Sequence, residues 1–258
     1  MDLKVAVVQF DIIWEDTEAN LSYLTNQFEK LDADTDLVVL PEMFHCGFSM
    51  SAQKNVQEDG GDVLQWMRQM STRYSIALIG SVVVGTDGGV TNRLYVVEGD
   101  KVASYDKRHL FTMGGEHLYY QKGTERIIVE VKGWRLCPLI CYDLRFPVWS
   151  RNQGEEYDAL IYVANWPASR IDVWNTLLKA RAIENQSYVI GVNRIGKDKS
   201  LEYNGSSQVI DARGNALMNT GDNNVIAYVL LDKVELARFR SVFPVLKDAD
   251  RYELKVSN

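Results

Sequence analysis

The chain has 258 residues, of which 46% are hydrophobic and 24% charged, as is typical of a globular protein with a substantial core. Its net charge of −7 argues against a nucleic-acid partner and against binding to an anionic membrane surface. No apolar run reaches the roughly 18 residues that a membrane helix needs, and the N-terminus lacks the pattern of a secretory signal. We therefore expect a cytoplasmic protein whose three cysteines are free thiols.

The first half of the chain alternates short apolar runs with segments of helical periodicity. Residues 20–31 and 63–74 carry apolar side chains at helical spacing, which predicts two helices. The remaining apolar runs predict strands, with a turn at residues 86–89. The predicted strands are residues 5–9, 37–40, 76–84, 94–98 and 101–105.

The second half repeats this alternation. Helices are predicted at residues 146–153, 173–185 and 231–240, and strands at 126–131, 134–140, 159–163, 188–193, 206–210 and 225–230. The last two strands flank the turn Arg213-Gly214-Asn215. Alternating strands and helices favour an α/β protein with covered sheets. Because no linker or repeat interrupts the pattern, residues 1–258 are predicted to form a single domain.

A carboxylate follows the apolar strand at residues 37–40. Pro41 ends the strand ladder, so Glu42 is expected just beyond the carboxyl end of the strand, where α/β folds place ligands. A solvated loop carboxylate is the alternative interpretation of this segment alone.

A lysine and a cysteine occupy comparable positions further along the chain. Lys107 follows the predicted strand 101–105 and is either a fixed cation or a surface lysine. Cys141 ends the apolar strand 134–140 and precedes a predicted helix, whose N-terminus would favour the thiolate. The backbone N–H of Tyr142 is then a candidate oxyanion donor. A cysteine that serves as a small buried hydrophobe is the alternative.

The three segments LPEMF, YDKRHLF and LICYDLRFP, taken together, resemble the Glu–Lys–Cys triad of the nitrilase superfamily of carbon–nitrogen hydrolases. The resemblance extends from VAVVQFDIIWED near the N-terminus to GSSQVI at residues 205–210. It implies a four-layer αββα sandwich that usually forms a homodimer. The sequence periodicity by itself supports only the α/β class.

The resemblance also implies a mechanism. Glu42 would take the proton of Cys141, and the thiolate would attack an amide carbonyl while Lys107 and the Tyr142 N–H stabilise the oxyanion. Release of ammonia would leave a thioester for water to hydrolyse. Glu116 matches a second glutamate that positions the lysine and the substrate. No metal ion and no organic cofactor is needed.

The motifs CYDLRFP and ANWPASR, with the tail FPVLKDAD, look like those of bacterial omega-amidases. Such enzymes hydrolyse the terminal amide of 2-oxoglutaramate or 2-oxosuccinamate, small substrates that carry a carboxylate. Arg170 is the candidate carboxylate ligand. Phe44 and Trp166 are candidate pocket walls, and Tyr142 is expected to contribute its backbone. Arg145 is interpreted as structural.

Single features of the sequence also suggest other functions. Within the family, the alternative is an N-carbamoyl amino acid amidase or another aliphatic amidase. A redox pair of Cys137 and Cys141 requires a sharp bend, since four residues of strand span about 13 Å and disulfide Cα atoms lie within about 7 Å. His45 and Cys46 lack the second ligand pair of a zinc site. An inactive binding protein on the same fold is disfavoured because Glu42, Lys107 and Cys141 are all present.

Overall fold

The computed structural model describes residues 2–58 and 61–255. In this part of the chain the α-helices are α1 (Thr17–Phe28), α2 (Ala52–Asn55), α3 (Asp62–Tyr74), α4 (Ile171–Asn185) and α5 (Lys233–Val242). The strands are β1 (Leu3–Gln9), β2 (Leu37–Val39), β3 (Gln57–Glu58), β4 (Ala77–Thr86), β5 (Gly89–Glu98), β6 (Lys101–Asp106), β7 (Val129–Val131), β8 (Trp134–Ile140), β9 (Ala159–Ala164), β10 (Tyr188–Asn193), β11 (Ile195–Lys197), β12 (Glu202–Asn204), β13 (Gln208–Ile210), β14 (Ala216–Asn219) and β15 (Val225–Leu231).

The strands form two large sheets. The first has the order β15-β1-β2-β4-β5-β6, with β3 paired to β4, and the second has the order β14-β13-β10-β9-β8-β7. The centre of each sheet is parallel: β1, β2 and β4 in the first, and β8, β9 and β10 in the second. Strands β11 and β12 form a separate hairpin.

The alternation of side chains along each strand assigns them to two apolar layers. Val5 and Val7 point from β1 into the core between the two sheets. Ala6 and Val8 point the other way, toward the buried faces of α1 and α3. On the far side of the second sheet, Trp174 and Leu178 of α4 pack onto β10. The order helices, sheet, sheet, helices is the predicted αββα sandwich, which is confirmed.

One predicted helix is absent, and one strand of the structure is not predicted by the sequence. The helix expected at residues 146–153 is absent; a short 3₁₀ helix spans Cys141–Arg145, and turns follow it. Phe146, which precedes Pro147, has a non-helical φ of −114° and ψ of 88°, as a proline favours in the residue before it, so the 3₁₀ helix ends there. Beyond Pro147 the backbone N–H of Asn152 donates to Asn185 Oδ1 at 2.9 Å and not to a carbonyl four residues earlier, so no helix continues. The strand after the turn at Gly214 is β14, which the sequence did not indicate because its side chains are mostly exposed. Strand β15 pairs instead with β1 in the first sheet.

The remaining predicted helices and strands are present, with boundaries shifted by a few residues. Among the described residues no helix is both long and apolar enough to cross a lipid bilayer.

Candidate active site

Glu42 lies in the interior, three residues beyond the end of β2, and its carboxylate is fully buried. Its Oε1 accepts hydrogen bonds from Lys107 Nζ and from Asn92 Nδ2 of β5, each at 2.8 Å. Its Oε2 accepts one from the backbone N–H of Asn165, which directly follows β9, at 2.9 Å. Asn165 Nδ2 also donates to the Glu42 carbonyl at 2.6 Å. Strands of both sheets therefore fix the orientation of this carboxylate.

Lys107 joins two carboxylates. It directly follows β6, is fully buried, and its Nζ donates to Glu42 at 2.8 Å and to the two oxygens of Glu116 at 2.9 and 3.0 Å. Burial alone would lower the pKa of Lys107, but the charges of Glu116 and Glu42 outweigh it, so the pKa is raised and the side chain is an ammonium. Burial, assisted by Glu42 and opposed by Lys107, raises the pKa of Glu116.

Cys141 is the first residue after β8 and has a φ of 43°, in the left-handed region that a non-glycine residue seldom adopts. The chain reverses here from the strand into the 3₁₀ helix Cys141–Arg145, as in a nucleophile elbow. Such strained geometry clusters at functional sites.

The expected stabilisation of a Cys141 thiolate by a helix N-terminus does not dominate in the structure. Burial first, and then the charge of Glu42, raise the pKa of Cys141 well above the ordinary range of a thiol, although Lys107 opposes them. The helix whose N-terminus was expected to favour the thiolate is a 3₁₀ helix of five residues. The resting side chain is therefore the neutral thiol, with Glu42 as its neighbouring carboxylate.

Cys141 and Lys107 line one cavity together with Tyr142, Trp166 and Arg170, so the structure brings most of the predicted site residues together. Glu42 and Glu116 are not among the residues that line the cavity, but both accept hydrogen bonds from Lys107, which does line it. The cavity is also lined by Phe48, Phe111, Asn165, Pro167, Leu201 and Tyr203.

Phe44 does not line this cavity, and its prediction as a pocket wall is corrected. Its side chain is fully buried and its ring packs against that of Trp66 on α3, with 5.8 Å between the centroids. Phe48 lies at the cavity instead, with Lys107 Nζ 5.0 Å from the centroid of its ring. The turn at Gly47, whose φ is 78°, separates the two aromatic residues and redirects the chain.

The arginines differ in their surroundings. The guanidinium of Arg170 lies 5.2 Å from the centroid of the Phe111 ring, at the cavity, and the Arg170 carbonyl accepts a hydrogen bond from Trp166 Nε1 at 2.8 Å. The exposed Arg145 places its guanidinium over the Trp166 ring at 5.4 Å. Arg170 is therefore held by two cavity-lining residues.

Several residues at the site carried no signal in the sequence. Asn92 and Asn165, which orient Glu42, are polar residues within or just after strands. Leu201 and Tyr203 belong to the β11–β12 hairpin, where the Tyr203 ring lies 4.6 Å from the guanidinium of the buried Arg194. Only the tertiary fold brings Asn92 to Glu42 and brings Asn165, Leu201 and Tyr203 to the cavity.

The part of the chain that the structure describes contains no cluster of three or more His, Cys, Asp or Glu side chains able to hold a metal ion. His109 and His117 are outside the lining of the cavity that contains Cys141.

Comparisons with known proteins agree with this arrangement. The sequence profile of the carbon–nitrogen hydrolase family matches residues 4–241. The chain belongs to the carbon–nitrogen hydrolase family. The omega-amidase YafV of Escherichia coli strain K12 is 45% identical, over 98% of this chain and 98% of that protein. A 2-oxoglutaramate amidase of Bacillus subtilis strain 168 is 33% identical, over 96% and 98% of the two chains.

Solved structures show the same fold as this carbon–nitrogen hydrolase. A CN-hydrolase superfamily protein of Xanthomonas campestris, whose crystal structure has an arsenic adduct in the active site, is 40% identical. It has a TM-score of 0.97, over 99% of this chain and 100% of that one. Nit3 of Saccharomyces cerevisiae has a TM-score of 0.85 at 26% identity, over 95% of each chain. The predicted superfamily and its omega-amidase-like branch are confirmed.

The electrostatics of this hydrolase predict an unusual response to Glu42→Gln. Removing the negative neighbour should lower the pKa of Cys141, because the thiolate is then opposed only by burial and Glu116 and is still attracted by Lys107. At pH 7 iodoacetamide should therefore alkylate Cys141 faster in Glu42→Gln than in the wild type, while turnover is lost. Mass spectrometry of the labelled peptide measures the rate.

The Cys141→Ala variant is the control, because Cys46 and Cys137 are both fully buried and should remain unlabelled. Slower labelling of Glu42→Gln than of the wild type across pH 6–9 would contradict the assigned effect of Glu42 on the thiol.

Proposed function

We propose that this protein is a cysteine-dependent omega-amidase. It hydrolyses the terminal amide of small dicarboxylate monoamides, such as 2-oxoglutaramate or 2-oxosuccinamate, and releases ammonia. The observation that carries the proposal is the buried Glu42–Lys107–Glu116 cluster beside Cys141, on a cavity that Arg170 also lines. The names of the E. coli and B. subtilis relatives support the same substrate class. We also propose that residues 1–258 form one hydrolase domain.

The first half of the reaction forms a thioester. Glu42 accepts the proton of the Cys141 thiol, and the sulfur attacks the carbonyl carbon of the amide. Lys107 Nζ and the Tyr142 N–H are the donors for the negative charge that develops on the carbonyl oxygen. Glu42 then returns the proton to the nitrogen, the carbon–nitrogen bond breaks, and ammonia leaves.

The second half regenerates the enzyme. Glu42 accepts a proton from a water molecule, whose oxygen attacks the thioester carbonyl. The carbon–sulfur bond breaks, the thiolate takes the proton back through Glu42, and the dicarboxylate product leaves. The same carboxylate serves as base and acid in both halves, which is why its orientation by Asn92, Asn165 and Lys107 matters.

Arg170 is proposed to bind the carboxylate at the far end of the substrate. A guanidinium matches a carboxylate in geometry and charge, and this one is already placed on the Phe111 ring at the cavity. The apolar side chains of Phe48, Trp166 and Leu201 would enclose the short carbon chain between the two polar ends.

We also propose that the protein is a cytoplasmic homodimer. The ends of α4 and α5 present apolar side chains that are well exposed: Ile183 at 49%, Val242 at 77% and Phe243 at 59%. The two helix ends are adjacent, because Gln186 Nε2 donates to the Phe243 carbonyl at 2.6 Å. An exposed apolar patch of this kind marks an interaction surface, and a second copy of the chain is the occupant proposed for it.

The function is tested by ammonia release from 2-oxoglutaramate with the wild type and Cys141→Ala. We expect turnover by the wild type and its loss by a factor of about 10³ or more in Cys141→Ala, because Cys46 and Cys137 are fully buried and do not line the cavity. Succinamate and an N-carbamoyl amino acid are assayed in parallel. Activity on the carbamoyl compound alone would keep the nucleophile and replace the proposed substrate with that of the alternative amidase.

The role of Arg170 is tested by Arg170→Met, which keeps an apolar contact with Phe111 and removes the charge. We expect kcat/KM for 2-oxoglutaramate to fall by roughly 10²-fold, mainly through KM, because the charged hydrogen bonds to the carboxylate are lost. Arg145→Met is the matched control, since Arg145 is an exposed arginine on Trp166. Equal losses in the two variants would rule out a specific role for Arg170.

The oligomer is tested by light scattering after size exclusion. We expect the wild type to have twice the mass of the chain and Phe243→Asp to be monomeric, because a buried unpaired charge opposes association. Ile13→Asp changes a comparably exposed apolar residue, at 48%, on the α1 side and should remain dimeric. A monomeric wild type would overturn the proposed dimer.

A further inference from the structure

Asp143 is a buried carboxylate that the proposed reaction does not use. It lies two residues after Cys141 in the 3₁₀ helix, is fully buried, and accepts four hydrogen bonds. Its Oδ2 accepts from the backbone N–H of Ile140 at 3.0 Å and from the Tyr105 hydroxyl at 2.7 Å. Its Oδ1 accepts from the backbone N–H of His109 at 3.0 Å and contacts His109 Nδ1 at 2.8 Å.

These four groups come from the two segments that carry Cys141 and Lys107. Ile140 is the last residue of β8 and directly precedes Cys141, whose φ is the strained 43°. Tyr105 and His109 lie two residues before and two residues after Lys107. One carboxylate thus ties the strand end that presents the thiol to the segment that presents the ammonium.

The chemistry of the donors requires a carboxylate at this position. The Tyr105 hydroxyl already accepts from the backbone N–H of Arg108 and from Trp149 Nε1, so toward residue 143 it can only donate. His109 Nδ1 can become an acceptor in the other tautomer. The two backbone N–H groups can only donate, and each faces a different oxygen of Asp143. An asparagine has a single acceptor oxygen, so it would turn its NH₂ toward one of the two N–H groups and leave a buried donor without a partner.

We propose that Asp143 is a positioning residue, which sets the placement of Lys107 relative to Cys141 by binding the backbone of both segments. The inference rests on the proposed roles of Lys107 and Cys141 in the reaction. Surrounding groups reinforce the arrangement: Trp149 Nε1 donates to the Tyr105 hydroxyl at 3.0 Å, and the His109 ring stacks on Phe146 with 3.7 Å between centroids. Tyr105 and His109, which bind Asp143, are therefore themselves held in place.

The test compares Asp143→Asn with the wild type in ammonia release from 2-oxoglutaramate. We expect kcat to fall by about 10²-fold with KM changed by less than about threefold, because displacement of the reacting groups by about 1 Å slows chemistry without altering the substrate contacts. Circular dichroism and thermal unfolding establish that the variant is folded. Asp143→Ser, which leaves room for water to take both N–H groups, is measured as a second variant by the same criterion.

Asp158→Asn is the matched control. Asp158 is a buried carboxylate near the opposite end of β8, where it accepts from the backbone N–H of Arg135 at 3.1 Å and from the Arg135 side chain at 2.7 Å. The control should lower the melting temperature and leave kcat within about twofold, since it does not touch the Lys107 segment. If the Asp143 variants keep kcat as Asp158→Asn does, Asp143 is only structural and the proposal is overturned.

His109→Ala separates the backbone contacts from a proton-transfer pair of Asp143 and His109. It removes the ring but keeps the N–H, so kcat should fall by less than about fivefold. A loss as large as that of Asp143→Asn would overturn the proposal, because the ring would then be the group through which Asp143 acts. Failure of the proposed function is distinguishable, because the wild type itself would then release no ammonia from 2-oxoglutaramate, and the same variants would be compared on the amide that the wild type does hydrolyse.

Discussion

One buried ammonium holds the candidate site together. Lys107 is enclosed by the carboxylates of Glu42 and Glu116, and all three side chains are fully buried. Charged groups removed from water in this way are tolerated only when they are paired and hydrogen-bonded. Loss of one partner of such a pair costs about 3–5 kcal/mol, because the remaining charge is stranded in a region of low dielectric. The chain must therefore fold so that these three charged groups meet, and the same groups are the ones proposed to act in the reaction.

The two sheets supply the residues of the site from opposite sides. Glu42 and Lys107 follow strands of the first sheet, while Cys141 and Asn165 follow strands of the second. The shared apolar core fixes the distance between the sheets, so the hydrogen bond from the Asn165 N–H to Glu42 crosses from one sheet to the other. Burial first, and then the charge of Glu42, raise the pKa of Cys141 and keep it protonated at rest, which leaves its activation to the adjacent carboxylate.

Much of this arrangement could be predicted from the sequence because its signals are local. Glu42, Lys107 and Cys141 each follow an apolar strand, and the three motifs together are specific for the family. The predicted helix at residues 146–153 is wrong because this segment bonds to a distant part of the chain, as the N–H of Asn152 does to Asn185, and apolar spacing does not reveal such contacts. Phe44 could not be told from Phe48, since only the turn at Gly47 decides which ring reaches the cavity. Asn92, Asn165 and Tyr203 escaped prediction because their roles depend on contacts between segments distant in the chain.

The hairpin of β11 and β12 lies outside both sheets yet supplies Leu201 and Tyr203 to the cavity. The groups proposed for bond cleavage come instead from the ends of sheet strands, whose positions the whole core determines. Mutations at Leu201 can thus reshape the wall that meets the substrate without disturbing the buried cluster of Glu42, Lys107 and Glu116. The residues that contact the substrate and the residues that break the bond thus lie on different parts of the fold. During evolution, substitutions in the hairpin can change the substrate range while the reaction stays the same.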